Sequence, residues 1–299
     1  MKNILYIVII FWIVAFVSCE KDADLEIPGY SLKLAIHSFI SPDDTLLKVH
    51  ISTNRNVFGT KEDYPGSLSP EVILTDGNEE LVFSKRDSLG FCSLKYTILP
   101  GREYKLLVKC EGYPDAYATC KVPLRKEISI NVDTINKYYS YYYDSNYPPP
   151  PGSPEGYIEQ KVIVKFTDIA GEKNYYNINA TQTLEYLRGK RTEILMADEQ
   201  DNNFSYELTK IVSDNSLDGK NISRTFQNHF SLDTALYSAI LDAVVLETDA
   251  EYYKYHTSLQ KYSGTDQPFT EYSPVYSNVS GGIGIFASYM KYKKSFKLK

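Results

Sequence analysis

Leu99-Pro100-Gly101-Arg102-Glu103-Tyr104 leads into Leu106, Val108 and Cys110 at every second position. A period of two sets these side chains on one face of a pleated strand. Pro100-Gly101 brings the chain in, since proline fixes φ and glycine tolerates positive φ. Glu111-Gly112-Tyr113-Pro114-Asp115 turns it again, and Ala116, Ala118, Cys120 and Val122 repeat the alternation until Pro123 closes the strand. Two half-buried strands joined by a short turn are the signature of an all-β fold.

The pattern extends upstream. Leu32, Leu34, Ile36 and Ser38 share one face of a first strand, Ser41-Pro42-Asp43-Asp44 turns, and Leu47, Val49 and Ile51 line the next. Asn54 to Pro70 reads as a polar loop. Glu71-Val72-Ile73-Leu74 then enters Asp76-Gly77-Asn78, residues suited to a tight hairpin turn, and Leu81-Val82-Phe83 returns. Within this frame Leu99 to Tyr104 resembles the tyrosine corner of immunoglobulin and fibronectin type III sandwiches. There a Tyr hydroxyl bonds back to the backbone at the entrance to a late strand. Residues 30–125 are expected to form one immunoglobulin-like β-sandwich, a module without intrinsic chemistry.

Residues 126–157 change character. Tyr138, Tyr139, Tyr141, Tyr142, Tyr143 and Tyr147 precede Pro148 to Pro151, and prolines in series favour an extended segment outside any sheet interior. This segment is expected to be a linker or loop. Its tyrosines either contact a ligand or partner or lie flat on a neighbouring domain. Residues 158–299 read as a second β-rich domain, with strands at Lys161 to Phe166, Tyr175 to Thr183, Thr192 to Met196, Phe204 to Val212 and Ala239 to Leu246. Turns fall at Asp168–Gly171 and Asp214–Lys220. Thr248-Asp249 reads as a helix N-cap, and Tyr252, Tyr255, Leu259 and Tyr262 are spaced for a buried helical face. Short strands at Ile283 to Tyr289 and Ser295 to Leu298 end the chain. The fold class is therefore mainly β: two sandwich-like domains with one short helix in the second.

The amino terminus carries a different message. Lys2 is followed by an apolar run from Ile4 to Val17, about 14 residues and too short to span a bilayer comfortably. The run ends at Phe16-Val17-Ser18-Cys19, which resembles the bacterial lipobox, with Phe16 where leucine is usual. Residues 1–18 are expected to be a signal peptide. Cys19 would then become the acylated first residue, carrying fatty chains such as palmitate. Residues 19–29 form a tether whose Glu20, Lys21, Asp22 and Asp24 resemble the acidic signal that sends Bacteroidota lipoproteins to the cell surface. Such a segment cannot pack and stays solvated.

Composition narrows the rest. The net charge of −6 falls to −7 once Lys2 leaves, and no basic block exists, which argues against nucleic-acid binding. The chain has 27 tyrosines and a single tryptophan, Trp12, inside the leader. Cys92, Cys110 and Cys120 remain after acylation of Cys19, with no CxxC spacing. Cys110 and Cys120 lie on neighbouring strands in an offset register, so small buried side chains suit them better than a disulfide. His37, His50, His229 and His256 lack metal-ligand spacing, and there is no GxSxG, P-loop or HExxH motif. Asp198-Glu199-Gln200-Asp201 lacks the spacing of a calcium loop. Neither an enzyme nor a bound cofactor or metal is expected. Thr45, Ser88, Thr134 and Thr234 each follow Asp and precede an apolar residue or alanine, resembling the O-glycosylation acceptor of exported Bacteroidota proteins.

Val275-Tyr276-Ser277-Asn278-Val279-Ser280-Gly281-Gly282-Ile283-Gly284-Ile285-Phe286 resembles the closing motif of the Bacteroidota lipoprotein family called domain of unknown function 4249. Cys19-Glu20-Lys21-Asp22, the Leu99–Tyr104 corner, and Asp168-Ile169-Ala170-Gly171 ahead of Tyr175-Tyr176 fit the same plan. The resemblance implies a lipid-anchored outer-membrane protein facing the exterior, often found alongside TonB-dependent transporters, and brings no catalytic residues. The expected role is to capture an extracellular ligand (peptide, glycan or metal complex) or assist such a transporter. A structural or adhesive envelope module acting through protein contacts is the alternative. The glycines suggest close backbone approach or a bulge beside a β-edge.

Overall fold

The computed structural model describes residues 31–54, 68–141, 156–186, 189–197, 210–231, 236–263 and 274–297. β1 (Leu34–Ile40) and β2 (Leu47–Thr53) bury Leu34, Ile36 and Ile40, and Leu47, Val49 and Ile51. Leu32, expected on that face, precedes β1 and is exposed. β3 (Glu71–Thr75) and β4 (Glu80–Val82) form the expected hairpin. At its tip Gly77 takes φ +89° and the Asp76 carboxylate accepts the Asn78 N–H at 3.0 Å. β5 (Phe91–Leu94) pairs with β2, while β6 (Glu103–Lys109) and β7 (Ala116–Lys121) extend the β3 sheet.

The tyrosine corner is present. Leu99 N–H donates to Tyr104 Oη at 2.9 Å, and Tyr104 is wholly buried. Its ring joins a core in which Leu34, Ile36 and Val49 face Val72, Leu106 and Val108 across the sandwich. Each such aliphatic side chain removed from water contributes roughly 1.5–3 kcal/mol. Cys92 and Cys120 are buried in this core and Cys110 is half-buried; all three are free thiols.

The segment expected to be a linker is not a loop throughout. Residues Asn131–Ser140 form β8, paired antiparallel along its whole length with β9 (Gly156–Thr167). Nearly every side chain of β8 is exposed, so no hydrophobic alternation announces it. β10 (Tyr175–Tyr186), β11 (Gly189–Ile194), β12 (Met196–Ala197), β13 (Lys210–Ser213), β14 (Asn221–Ser231) and β15 (Leu236–Thr248) follow. A second core forms between β9 and β14 on one side and β10 and β15 on the other, around Val164, Phe166, Tyr176, Phe226 and Val245. Helix α1 (Ala250–Ser263) is capped as expected: Tyr252 N–H donates to Asp249 Oδ1 at 2.8 Å. On its expected inner face Tyr252 is buried, Tyr255 and Leu259 are half-buried, and Tyr262 is exposed.

The chain ends in one strand rather than the two short ones expected. β16 (Ile283–Lys297) pairs in parallel with β1 through residues 283–288 and antiparallel with β15 through residues 289–297. It joins both halves in one sheet of order β11-β10-β15-β16-β1-β2-β5, with β13 also on β10. The stretches 30–125 and 158–299 thus keep separate cores but share this sheet, and Leu32–Lys299 is one unit. Phe286 enters the first core and Tyr292 and Phe296 pack on the second, whereas Ile285 and Ala287 face α1. The period of two therefore places the sheets β4-β3-β6-β7 and β12-β14-β9-β8 on one face and the helix on the other. No helix among the described residues is long and apolar enough to cross a membrane.

Candidate functional site

Three of the tyrosines singled out in the sequence, Tyr138, Tyr139 and Tyr141, lie at the end of β8. Tyr138, Tyr139 and Tyr141 are exposed. Tyr139 stacks on Tyr157 of β9 with centroids 4.8 Å apart and planes 10° from parallel, and Tyr141 leans on the same ring at 5.7 Å. Tyr139 Oη donates to Glu159 Oε2 at 3.0 Å, and that bond holds the phenol above its ordinary pKa. Aromatic side chains on neighbouring strands stack because the pleat brings their Cβ atoms close. Tyr142, Tyr143 and Tyr147 lie outside the described residues. The result is an exposed aromatic ledge on a sheet edge, with β8 ending the order β12-β14-β9-β8.

Three other constellations carry polar or aromatic chemistry. In the first, the turns after β9 and β13 meet, bringing the carboxylates of Asp168, Asp214 and Asp218 within 4.8 Å of one another. Such a trio could hold a divalent cation through oxygen ligands. Each already accepts protein donors, however. Asp168 takes Tyr176 Oη–H at 2.7 Å and Gly219 N–H at 2.8 Å, Asp214 takes Asn174 N–H at 2.7 Å, and Asp218 takes Gly171 N–H at 2.7 Å. Burial and the Asp168 carboxylate push the Tyr176 phenol far up. The network locks two turns together. The sequence showed the turn residues on each side but not their meeting.

The second lies beneath α1, where His37, Phe39, Tyr252, Tyr255 and His256 form an aromatic layer; His256 stacks on Phe39 at 5.4 Å. His256 Nε2 is buried without a hydrogen-bond partner. Burial, reinforced by His37, lowers its pKa to about 4. Asp249 faces the other way chemically: burial raises its pKa to about 6 although Tyr252 and Ser288 donate to it. The third is an open concavity of about 510 Å³ lined by Arg125, Lys126, Glu127, Ile128, Ser129 and Tyr292. Tyr292 is the single aromatic ring among its described lining residues. Arg125 is held by Asp43 at 2.6 Å, and Lys126 by Glu172 and the buried Glu247. Glu247 is raised by burial, but its partners are Tyr292 and Lys126, and Asp249 does not share them.

The glycine motif is a point of close backbone approach. A Cβ on Gly281 would lie 2.1 Å from the Asp115 carbonyl oxygen, and one on Gly284 would lie 1.9 Å from that of Ile36. Ser280 exchanges backbone hydrogen bonds with Tyr117, and the Asn278 side chain bonds both backbone groups of Phe286. Here β16 enters beside β1 and β7, which gives the motif a structural role.

Thr45 and Ser88 are exposed in turns, and Thr134 is exposed on β8. Thr234, Cys19, Glu20, Lys21, Asp22 and Asp24 lie outside the described residues, as does Asp198–Asp201.

No curated protein sequence matches the chain. Among solved structures, a protein from Corynebacterium diphtheriae described as membrane anchored aligns at 11% identity over 73% of this chain and 54% of its own, with a TM-score of 0.20. A carbohydrate-binding module of the β-sandwich superfamily aligns at 11% identity over 69% of this chain and 97% of its own, with a TM-score of 0.19. Scores of this size carry no argument about function. The sequence itself is decisive: the model of the domain of unknown function called DUF4249 matches residues 20–295, nearly the whole chain, and the chain belongs to that family.

Proposed function

We propose that this protein is a lipoprotein anchored through Cys19 on the outer membrane, facing the exterior, and that it works by protein contact along the β8 edge in support of a TonB-dependent transport system. The anchor and location rest on the leader, the Cys19 motif and the acidic tether. The mode of action rests on one observation: β8 presents ten nearly continuously exposed residues, tyrosines among them, at a sheet edge. An exposed edge strand offers unpaired backbone groups to another chain, and tyrosine supplies amphipathic contact area.

Capture of a peptide, glycan or metal complex has less support. The concavity beside Tyr292 is open and has one ring among the described residues, and its Arg125 and Lys126 are already paired. A non-enzymatic role fits the absence of a familiar catalytic motif and the separate partners of Glu247 and Asp249.

Two measurements test the proposal. Cells fed a labelled fatty acid should acylate the wild-type chain and not Cys19→Ala, which should leave the membrane fraction. Detergent extracts should yield a TonB-dependent transporter with the wild-type chain and markedly less with Ile135→Lys on β8. Recovery unaffected by that change refutes contact through β8.

A further inference from the structure

Sheet ends among the described residues are mostly short. β4 has 3 residues, β5 has 4, β11 has 6 and β12 has 2, while β7, with 6, is bridged by Ser280. Short edges are a common defence against unwanted pairing. β8 departs from this. It has ten residues, no proline, and an unbroken register against β9 from Asn131 opposite Lys165 to Ser140 opposite Gly156. Ile135 at its middle is 52% exposed.

The sequence of that edge is complementary to itself. If a second β8 lies antiparallel with Ile135 facing Ile135 on a two-fold axis, Asp133 falls opposite Lys137 at two symmetry-related places. Val132 then meets Tyr138, Thr134 meets Asn136, and Asn131 meets Tyr139. Moving the axis to residue 133 or 137 sets like charges against each other, and residue 134 or 136 leaves both charges without an opposite partner. The match continues into the sheet. Asp133 already pairs with Lys165 on β9, and Lys137 lies opposite Glu159. A row running Lys165, Asp133, Lys137 and Glu159 across the junction would alternate in sign throughout. An isologous two-fold contact needs a surface that complements itself in this way.

We infer that β8 pairs antiparallel with β8 of a second copy of this chain, centred on Ile135, joining two four-stranded sheets into one. This rests on the proposed contact role of the edge and names its partner. Opposite-charge cross-strand pairs stabilise and like-charge pairs destabilise. Residues facing each other on antiparallel strands lie about 4.5–5.5 Å apart at Cα, within disulfide reach.

The test uses the full acylated chain in detergent. Light scattering should show a dimer, and Ile135→Cys should give an interchain disulfide on mild oxidation that Ser140→Cys does not. Asp133→Lys and Lys137→Asp should each weaken dimerisation roughly tenfold. The double variant Asp133→Lys/Lys137→Asp should restore it, because the swapped charges again face opposites. Unchanged thermal transitions confirm that the variants fold. A monomer at every concentration, or a double variant no better than the singles, overturns the inference. If the chain is monomeric yet Ile135→Lys still abolishes transporter recovery, self-pairing fails and the contact role stands. If recovery also ignores β8, both fail.

Discussion

Acidification should act on helix α1 through two groups of opposite sign. His256 is packed among His37, Phe39, Tyr252 and Tyr255, and its pKa is lowered to about 4 from an ordinary 6.5. The unfolded chain therefore takes up this proton first. The stability that neutral His256 contributes is complete above about pH 6.5 and is lost as the pH falls toward 4. Asp249, which caps the helix and bonds Ser288, has its pKa raised from 3.8 to about 6. Here the unfolded carboxyl ionises first on raising the pH, so its contribution is present below about 3.8 and lost as the pH climbs through 6. Differences of about 2–2.5 pH units correspond to at most roughly 3–3.5 kcal/mol each. Both residues are only partly enclosed, which reduces each effect to about 1–2 kcal/mol. The two nearly cancel in the wild type. Urea unfolding of the wild type, His256→Phe and Asp249→Asn between pH 4 and 7 separates them, because all other carboxylates drop out of the differences. Relative to the wild type, His256→Phe should gain about 1–2 kcal/mol between pH 6.5 and 4, and Asp249→Asn should lose a similar amount. Stability differences that stay constant with pH in both variants would falsify this account of the helix.

Three structural predictions follow from single contacts. Tyr104→Phe removes the acceptor of Leu99 N–H and should cost about 1–2 kcal/mol, a fall of about 3–6 °C in melting temperature; an unchanged transition refutes the corner's role. Gly284→Ala places a methyl 1.9 Å from the Ile36 carbonyl oxygen at φ +116°, so soluble yield or thermal stability should collapse, by about 3 kcal/mol or more. Asp168→Ala strands the Tyr176 hydroxyl and the Gly219 N–H and should cost about 2–4 kcal/mol in denaturant unfolding.

The sequence alone carried what depends on neighbours along the chain. β2, β6 and β7 were readable because one face of each meets a core and the other is largely open to water, so apolar residues recur with period two; β1 keeps the same alternation on its core face, while Phe39 on its other face packs under α1. Tyr104 and Asp249 were readable because their bonds close over five and three residues. β8 was not, because an exposed edge imposes no alternation and its tyrosines and asparagine suit a loop equally. The final strand looked like two, because Lys291, Lys293 and Lys294 interrupt the apolar run where most of its side chains become exposed.

Pairings over long distances belong to the tertiary structure. The parallel ladder between Ala35–Ile40 and Ile283–Ser288 joins opposite ends of the chain, and no local pattern encodes which strand will lie beside which. The same holds for the meeting of Asp168 with Asp214, and for the place of β8 at the end of its sheet among the described residues. Local turns and burial periodicity are written residue by residue. The choice of strand neighbours is settled only when the cores close and backbone groups far apart in sequence satisfy one another.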